Sequence, residues 1–458
     1  MVLIKSISGI RGTLENIPGE SLSDIDVIQF TLAYAYEVIL KSKLKIKNVV
    51  IGRDARKSGE RISNLVSSTL LNEGIDVVDL GLVTTPTLGI SVKNLQVSGG
   101  IMVSASHNDE KWNALKLLSD QGEFLSPKIV EKIIDESVVR KISKKVNKKG
   151  KYSIYEDALK DHVNLILSQD FLNIEKIKKK KFSVLVDGIN SVGGMAIPNL
   201  LKKIGVDNIK KINCIPNGKF AHNPEPIPEN IIGICDEIKK GKYDVGIVVD
   251  PDADRLCLVD EKGIPFGEEY TLVAAAEFVL SSSDSNNTCS NLSSSLALKV
   301  ITEKYGGIYY TSAVGEINVV EKMKKENAII GGEGNGGVIY SKTHYGRDSL
   351  IGIVLILSLL AERNISLSEL RKTLPQFSIV KKKLNFDGNI KNVVDFFKQE
   401  YLKCKITTID GIRIDFDNSW VHVRKSNTEP VVRVIAEAIN LKEASRLAKE
   451  IMSKLQLI

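Results

Sequence analysis

Three stretches of this 458-residue sequence repeat one pattern: strand, helix, strand, helix, strand, then a loop rich in polar residues or glycine. The first opens at "NVVIGRD" (from residue 48) and passes through "RISNLVSSTLLNEG", "IDVVDLG" and "TPTLGISVKNLQ". It ends its third strand in "GGIMVSASHND" (99–109). The second runs from "FSVLVDGIN" through "GGMAIPNLLKKIG", "IKKINCIP" and "PENIIGICDEIKKGK" to "YDVGIVVDPDADR". The third, weaker copy runs from "TCSNL" through "LALKVITEKYGG", "IYYTSA" and "INVVEKMKKEN" to "AIIGGEGNGG". Short apolar runs bounded by turn residues read as buried strands, and the runs with helical spacing and a closing glycine read as helices. Such alternation implies largely parallel sheets, whose ligands bind outside the carboxyl ends of the strands. Three equivalent loops, at Ser106-His107, Asp250 to Arg255 and Gly331 to Gly337, therefore read as facing one cleft.

After about residue 370 the pattern gives way to short strands ("TTIDGIRIDFD", "WVHVRKS", "VVRVIAEA") and a last helix, "KEASRLAKEIMSKLQ". The expected fold class is α/β: three similar α/β domains with largely parallel mixed sheets, plus a smaller α+β C-terminal domain, around one central cleft. The expected divisions are 1–150, 151–256, 257–369 and 370–458. A length of 458 residues suits three or four domains.

Composition narrows the function classes. Hydrophobic residues at 43% and charged residues at 26% are ordinary for a globular chain with sizeable cores. The N-terminal "MVLIKSISGIRG" lacks the apolar core of a secretory signal. The run "LIGIVLILSLLA" (350–361) is shorter than the ~20 residues a bilayer requires and reads as a buried helix. Five scattered cysteines without a Cys-x-x-Cys pair suggest neither a disulfide framework nor a zinc site, so a cytoplasmic location is expected. The net charge of +7 comes mostly from lysine runs, "KISKKVNKKGK" (141–151) and "KIKKKKF" (176–182). No aromatic residues interleave them to stack bases, so they read as solvated helix faces and a linker, with no nucleic-acid or membrane partner. A modest positive balance suits a small anionic substrate.

The loops carry the chemistry. "DPDADR" places Asp250, Asp252 and Asp254 at alternate positions. In an extended strand the outer two Cα atoms would lie about 13 Å apart, so the three can share a Mg²⁺ only if the loop curls. Three acids so close call for a cation, or Arg255 beside them. An EF-hand is disfavoured: Glu261 falls at the twelfth position, but Arg255 stands where the loop requires glycine and a strand precedes it. A strand-end phosphatase with Asp250 as nucleophile, and a capped loop of solvated acids, remain open at this point. The glycines of 331–337 let a backbone approach a ligand closely, with Glu333 and Asn335 offered to hydroxyls. In "RKSNTEP" (424–430), Arg424 offers a bidentate fork, and Ser426, Asn427 and Thr428 neutral donors, for a phosphate dianion.

With these loops in this order, the sequence resembles the α-D-phosphohexomutases, the phosphoglucomutase/phosphomannomutase family. "SGIRG" (8–12), "GRDARKSG" (52–59), "SASHN" (104–108), "DPDADR" (250–255), "GEGNGG" (332–337) and "RKSNTEP" match its pattern over essentially the whole chain. The resemblance implies that Ser106 is a phosphoserine projecting into the cleft. It also implies that Asp250, Asp252 and Asp254 hold Mg²⁺ with a phosphoserine oxygen of Ser106 as a further ligand. Arg11 and Lys116 would assist proton transfer or stabilise the moving phosphoryl group, with Arg255 nearby and His107 supporting the phosphoserine. Glu333 and Asn335 would hold sugar hydroxyls, and Arg424, Ser426, Asn427 and Thr428 the phosphate not transferred. The implied reaction interconverts hexose 1-phosphate and hexose 6-phosphate, of glucose or mannose, through a hexose 1,6-bisphosphate. Phosphoglucosamine mutation is the alternative, and an Mg²⁺-dependent phosphatase using Asp250 a further one. The implied partner is a phosphosugar; whether the chain is a monomer or a homodimer is not written in the sequence.

Three departures from the pattern stand out. Asp109 replaces the usual proline after "SHN". Asn335 and Gly337 replace the serine and histidine of "GEMSGH", so a proton role given to that histidine falls to Lys116 or a water. Asn427, where the phosphoglucosamine branch tends to carry glycine, favours glucose and mannose phosphates.

Overall fold

The computed structural model describes residues 2–135, 148–386, 388–425 and 431–456. The chain groups into two compact units, Met1–Thr271 with Asn335–Leu370, and Leu272–Gly334 with Arg371–Ile458.

The first unit opens on a seven-stranded sheet: β1 (Leu3–Ser6), β2 (Gly9–Thr13), β3 (Asn48–Arg53), β4 (Asp76–Leu82), β5 (Gly100–Val103), β6 (Trp112–Leu118) and β7 (Tyr152–Ile154). Their spatial order is β1-β2-β6-β5-β3-β4-β7. The expected β3, β4 and β5 run parallel, and β7 joins their edge in the same direction. β1, β2 and β6, which the repeat did not announce, add an antiparallel half. Alternate residues of a strand face opposite sides. Val49, Ile51, Ile101 and Val103 accordingly enter one core layer, against Val66 and Leu70 of the helix Gly59–Asn72. Val50 and Met102 enter the other, against Leu88 and Val92 of the helix Thr85–Asn94. Both faces are covered, which is why these strands read as unbroken apolar runs.

The second sheet of this unit has β8 (Ser183–Asp187), β9 (Asn208–Ile212), β10 (Val245–Val249) and β11 (Leu256–Asp260), in the order β11-β10-β8-β9. β8, β9 and β10 are parallel, flanked by the helices Gly193–Lys203 and Ile232–Lys240. β11 turns back antiparallel, with Val249 opposite Leu256, so the six residues 250–255 form the connection between two paired strands.

In the second unit, β12 (Thr288–Asn291), β13 (Tyr309–Ser312) and β14 (Ile330–Glu333) are parallel, with β12 central. The chain then returns to the first unit as β15 (Gly337–Tyr340) and the helix Ser349–Arg363. Twelve consecutive residues of that helix, Ser349 to Leu360, are buried, which accounts for its apolar run. Among the described residues no single helix is long and apolar enough to cross a membrane. The second unit ends in an antiparallel sheet of β16 (Ser378–Asn385), β17 (Lys405–Thr407), β18 (Ile412–Asp415), β19 (Trp420–Lys425) and β20 (Val431–Ala438), ordered β16-β20-β19-β18-β17. Val393 and Phe397 of the helix Ile390–Glu400, and Leu447 and Ile451 of Leu441–Leu455, complete its core. This is the expected α+β module, with β16 added by a segment whose lysines hid it.

Candidate active site

β5 delivers its polar loop at the sheet's carboxyl end. Ser106 follows in left-handed conformation (φ 51°), its amide donating to Ser104 Oγ at 3.0 Å. Ser104 Oγ donates in turn to Asp54 Oδ2 at 2.7 Å, just past β3. Arg56 binds the same carboxylate through Nε at 3.0 Å. Its two Nη groups donate to the backbone carbonyls of Ser106, Asn108, Asp109 and Trp112. Both members of the pair are fully enclosed, and burial raises the Asp54 carboxyl above its ordinary range despite Arg56. A buried fork of charge-assisted bonds to carbonyls fixes a loop that has few apolar contacts of its own.

The loop after β10 curls as a metal site requires. Ala253 is left-handed (φ 53°), and the amides of Asp254 and Arg255 both donate to Asp250 Oδ1 at 3.1 Å. One oxygen from each of Asp250, Asp252 and Asp254 then lies within 4.8 Å of the others, and all three residues are buried. Asp250 Oδ2 accepts the hydroxyl of Ser106 at 2.6 Å. Asp252 Oδ2 accepts from Lys116 Nζ and Thr85 Oγ1. Asp254 Oδ2 accepts from Arg347 Nη2 at 2.8 Å and Lys116 Nζ at 3.3 Å. The other oxygens, Asp252 Oδ1 and Asp254 Oδ1, are buried without a hydrogen-bond partner.

These placements sharpen the expectation about compensating charge. The cations that touch the acids are Lys116 and Arg347; the Arg255 guanidinium pairs with Glu225 at 3.4 Å, its amide donates to Asp250, and its charge acts on Asp250 and Asp254 without contact. The local field follows. Burial, then Asp254 and Asp252, push the Asp250 carboxyl well above the carboxylate range. Burial acts on Asp254 the same way, but Arg347, Lys116 and Arg255 outweigh it and hold that carboxyl low. Burial would strip the Lys116 proton, yet Asp252 and Asp254 raise its pKa instead. The Arg255 charge, burial and Arg11 hold His107 well below the usual imidazole range. Arg11 itself, lowered to about 10 by burial and Arg255, donates to Asn108 Oδ1 at 2.6 Å.

In the second unit, Glu333 Oε1 accepts from Asn291 Nδ2 at 2.9 Å and from the Gly315 amide at 3.0 Å. Arg424, buried on β19, donates through Nε to Asp410 Oδ2 at 3.0 Å. His422 bonds the Asp410 carbonyl at 2.6 Å and Ser293 Oγ at 2.8 Å, and burial lowers it to about 4. In the first unit, Asn335 Oδ1 closes its own turn on the Gly337 amide at 3.2 Å. Ser426, Asn427 and Thr428 lie outside the described residues.

Four consecutive segments match the alpha/beta/alpha domains I, II and III and the C-terminal domain of phosphoglucomutase/phosphomannomutase, over residues 4–144, 160–263, 267–377 and 362–454. The chain belongs to this family. Its architecture is accordingly three α/β/α domains followed by a C-terminal domain. The chain is 33% identical over 437 residues to the phosphoglucomutase/phosphomannomutase of Thermococcus kodakarensis, covering 94% of this chain and 93% of the relative. It is 32% identical over 447 residues to the phosphoglucosamine mutase of Methanococcus aeolicus, covering 94% and 96%. A family protein of Burkholderia thailandensis of known crystal structure shares the fold, with a TM-score of 0.85, 24% identity and coverage of 99% and 97%.

Several side chains around Ser106 and the aspartates escaped the sequence reading: Asp54, Arg56, Thr85 and Arg347; in the second unit, described by itself, so did Asp410 and His422, which bond Arg424 and Ser293. "GRDARKSG" contains the first two, so that match was the available signal. Arg347, 93 positions from Asp254, left none.

Proposed function

We propose that the protein interconverts hexose 1-phosphates and hexose 6-phosphates through a phosphoserine at Ser106. The observation that carries this reading is the Ser106 hydroxyl 2.6 Å from Asp250, at the edge of a buried three-aspartate cluster. Both Asp250 oxygens are engaged, one by two amides and one by Ser106, which favours the serine over Asp250 as nucleophile.

The donor set suits Mg²⁺: hard carboxylate oxygens on a curled loop, two of them buried with no other partner. Asp250, Asp252 and Asp254 would hold it, with an oxygen of phosphorylated Ser106. Bound there, Mg²⁺ supplies positive charge against the phosphoryl oxygens. The chain's own part is positioning. Arg56 fixes the backbone that presents Ser106, and Lys116 and Arg11 add charge beside it. In the forward half-reaction the Ser106 Oγ–P bond breaks as a bond from phosphorus to O6 of the hexose 1-phosphate forms; the O6 proton passes to a base and the Ser106 oxygen takes up a proton to become the free hydroxyl. The 1,6-bisphosphate then turns, and Ser106 takes the phosphoryl group from O1, releasing hexose 6-phosphate. Such transfers depend on alignment and charge neutralisation. Glu333 and Asn335 serve the sugar hydroxyls, and Arg424 with residues 426–428 the phosphate that stays.

Glucose and mannose phosphates are the first reading, supported by Asn427 and by the relative from Thermococcus kodakarensis. Glucosamine phosphate is the second, supported by the relative from Methanococcus aeolicus. Time-resolved phosphorus NMR with each sugar 1-phosphate, Mg²⁺ and a trace of 1,6-bisphosphate decides between them. Conversion of glucose or mannose 1-phosphate to the 6-phosphate is expected. Release of inorganic phosphate alone would replace the mutase with the phosphatase.

Arg424 yields a separable prediction. With Nε committed to Asp410, its Nη pair remains to grip a phosphate. Arg424→Ala removes a charge-assisted contact of about 1.5–3 kcal/mol, a loss of roughly ten- to a hundredfold in kcat/KM. Because the phosphate does not report the C2 configuration, the loss should be equal for glucose and mannose phosphates in coupled assays. A strong shift of the sugar ratio would show that Arg424 reads the sugar.

A further inference from the structure

Gly337 and Arg347 share one volume. A Cβ at position 337 would stand 2.2 Å from Arg347 Cδ and 2.9 Å from its Cγ, distances no side chain tolerates. The backbone there does not have the positive φ that favours glycine, so the space explains the residue. Arg347 lies across the glycine, nine-tenths buried, and its Nη2 ends 2.8 Å from Asp254 Oδ2.

The backbone on either side is held independently. Asp348 donates its amide to Val338 at 2.8 Å and caps the helix Ser349–Arg363 through the Leu350 amide at 2.8 Å. Its other oxygen meets His162 Nε2 at 2.9 Å, and His162 Nδ1 meets Thr87 Oγ1 at 2.9 Å. Ser349 Oγ donates to the carbonyl of Ala253, inside the aspartate loop, at 2.6 Å. Arg347 is therefore delivered to Asp254 from a fixed base, not from a mobile surface arm.

Its contact divides the carboxylate. Oδ2 is taken by Arg347 and Lys116, and Oδ1 remains buried without a partner. We infer that Arg347, seated over Gly337, is the fixed counter-charge of Asp254, a positioning residue that keeps Oδ1 of that carboxylate available and sets how tightly the aspartate cluster takes a divalent cation. This rests on the metal reading of the cluster given above. A cation this close to a ligand opposes a second cation. Even at an effective dielectric of about 20, removing it strengthens divalent binding by roughly tenfold or more.

The test is a Mn²⁺ titration of the full-length dephosphorylated protein, read by the electron paramagnetic resonance of free Mn²⁺, on the wild type, Arg347→Lys, Arg347→Met, Gly337→Ala and the double variant Gly337→Ala/Arg347→Met. Arg347→Met should tighten Mn²⁺ by roughly tenfold, and Arg347→Lys should stay near the wild type. Gly337→Ala should tighten it comparably, because the new methyl group evicts the arginine stem, and the double variant should be no tighter than either single one. That non-additivity is the signature of one shared interaction. Additive effects, or an unchanged affinity in both single variants, would overturn the inference while leaving the metal reading intact. A wild type that binds no Mn²⁺ would overturn both. Should Arg347→Met fail to fold, Gly337→Ala against Arg347→Lys makes the same comparison.

Discussion

Ser106→Ala is expected to cost roughly four to six orders of magnitude in mutase turnover, the scale seen when a nucleophile is deleted. Two hydroxyls close by among the described residues are already committed. Ser104 Oγ is committed to Asp54 and accepts the Ser106 amide, and Thr85 Oγ1 is bound to Asp252. The variant should also lose its phosphate, as read by intact-protein mass. A second consequence is thermodynamic. Without the serine hydroxyl, Asp250 Oδ2 loses the donor it has in the buried site, and an unsatisfied group of that kind costs about 1–3 kcal/mol. The alanine variant should therefore melt lower than the wild type in chelator and recover when Mg²⁺ is added. Persisting turnover, or phosphate found on another residue, would remove Ser106 from the mechanism.

Asp252→Asn should lower turnover by on the order of a hundred- to a thousandfold, or about 3–4 kcal/mol at 1.36 kcal/mol per decade. Two losses combine in the one substitution. The buried oxygen that has no partner loses its charge, and Lys116 loses the carboxylate nearest its ammonium. Charge-assisted bonds contribute about 1.5–3 kcal/mol each, and Asp254 at 3.3 Å compensates Lys116 only in part. Excess chelator should abolish wild-type turnover, and Mn²⁺ should bind Asp252→Asn more weakly than the wild type. Full activity in chelator would take the three aspartates out of the chemistry.

The loops at Ser106 and Asp250 were readable in one dimension because they follow strands whose both faces are buried. "GIMV" and "VGIVV" each end where the apolar run stops. Lysines obscure two strands in the sequence. Lys116 is 2% exposed, in the middle of β6, where a charged residue argues against a buried strand until its partners on another sheet are known. In β16, Lys381 to Lys383 broke an alternation that only pairing with β20 supplies. The run at 176–182 is helical over residues 176–180. It forms the helix Ile174–Lys180, whose Lys178 pairs with Glu175, and whose Lys176 and Lys180 reach Glu362 and Asn364. Arg255 adds its charge from next door, but the cations in contact with Asp254 come from residues 93 and 138 positions away. Separations of that size are set by topology, which local pattern does not encode.

The Arg56 clamp has a consequence for the life of the enzyme between turnovers. Its four carbonyl acceptors belong to the main chain, so none of them depends on what Ser106 carries. In the proposed cycle a bisphosphate that escapes before turning would leave Ser106 discharged, and a loop held together by its phosphate would then fall slack. Here the discharged hydroxyl simply rests on Asp250, with the surrounding main chain already in shape. On the proposed mechanism, recharging by a stray bisphosphate would require no refolding, and an accidental loss of the phosphoryl group would idle the catalyst without destroying it.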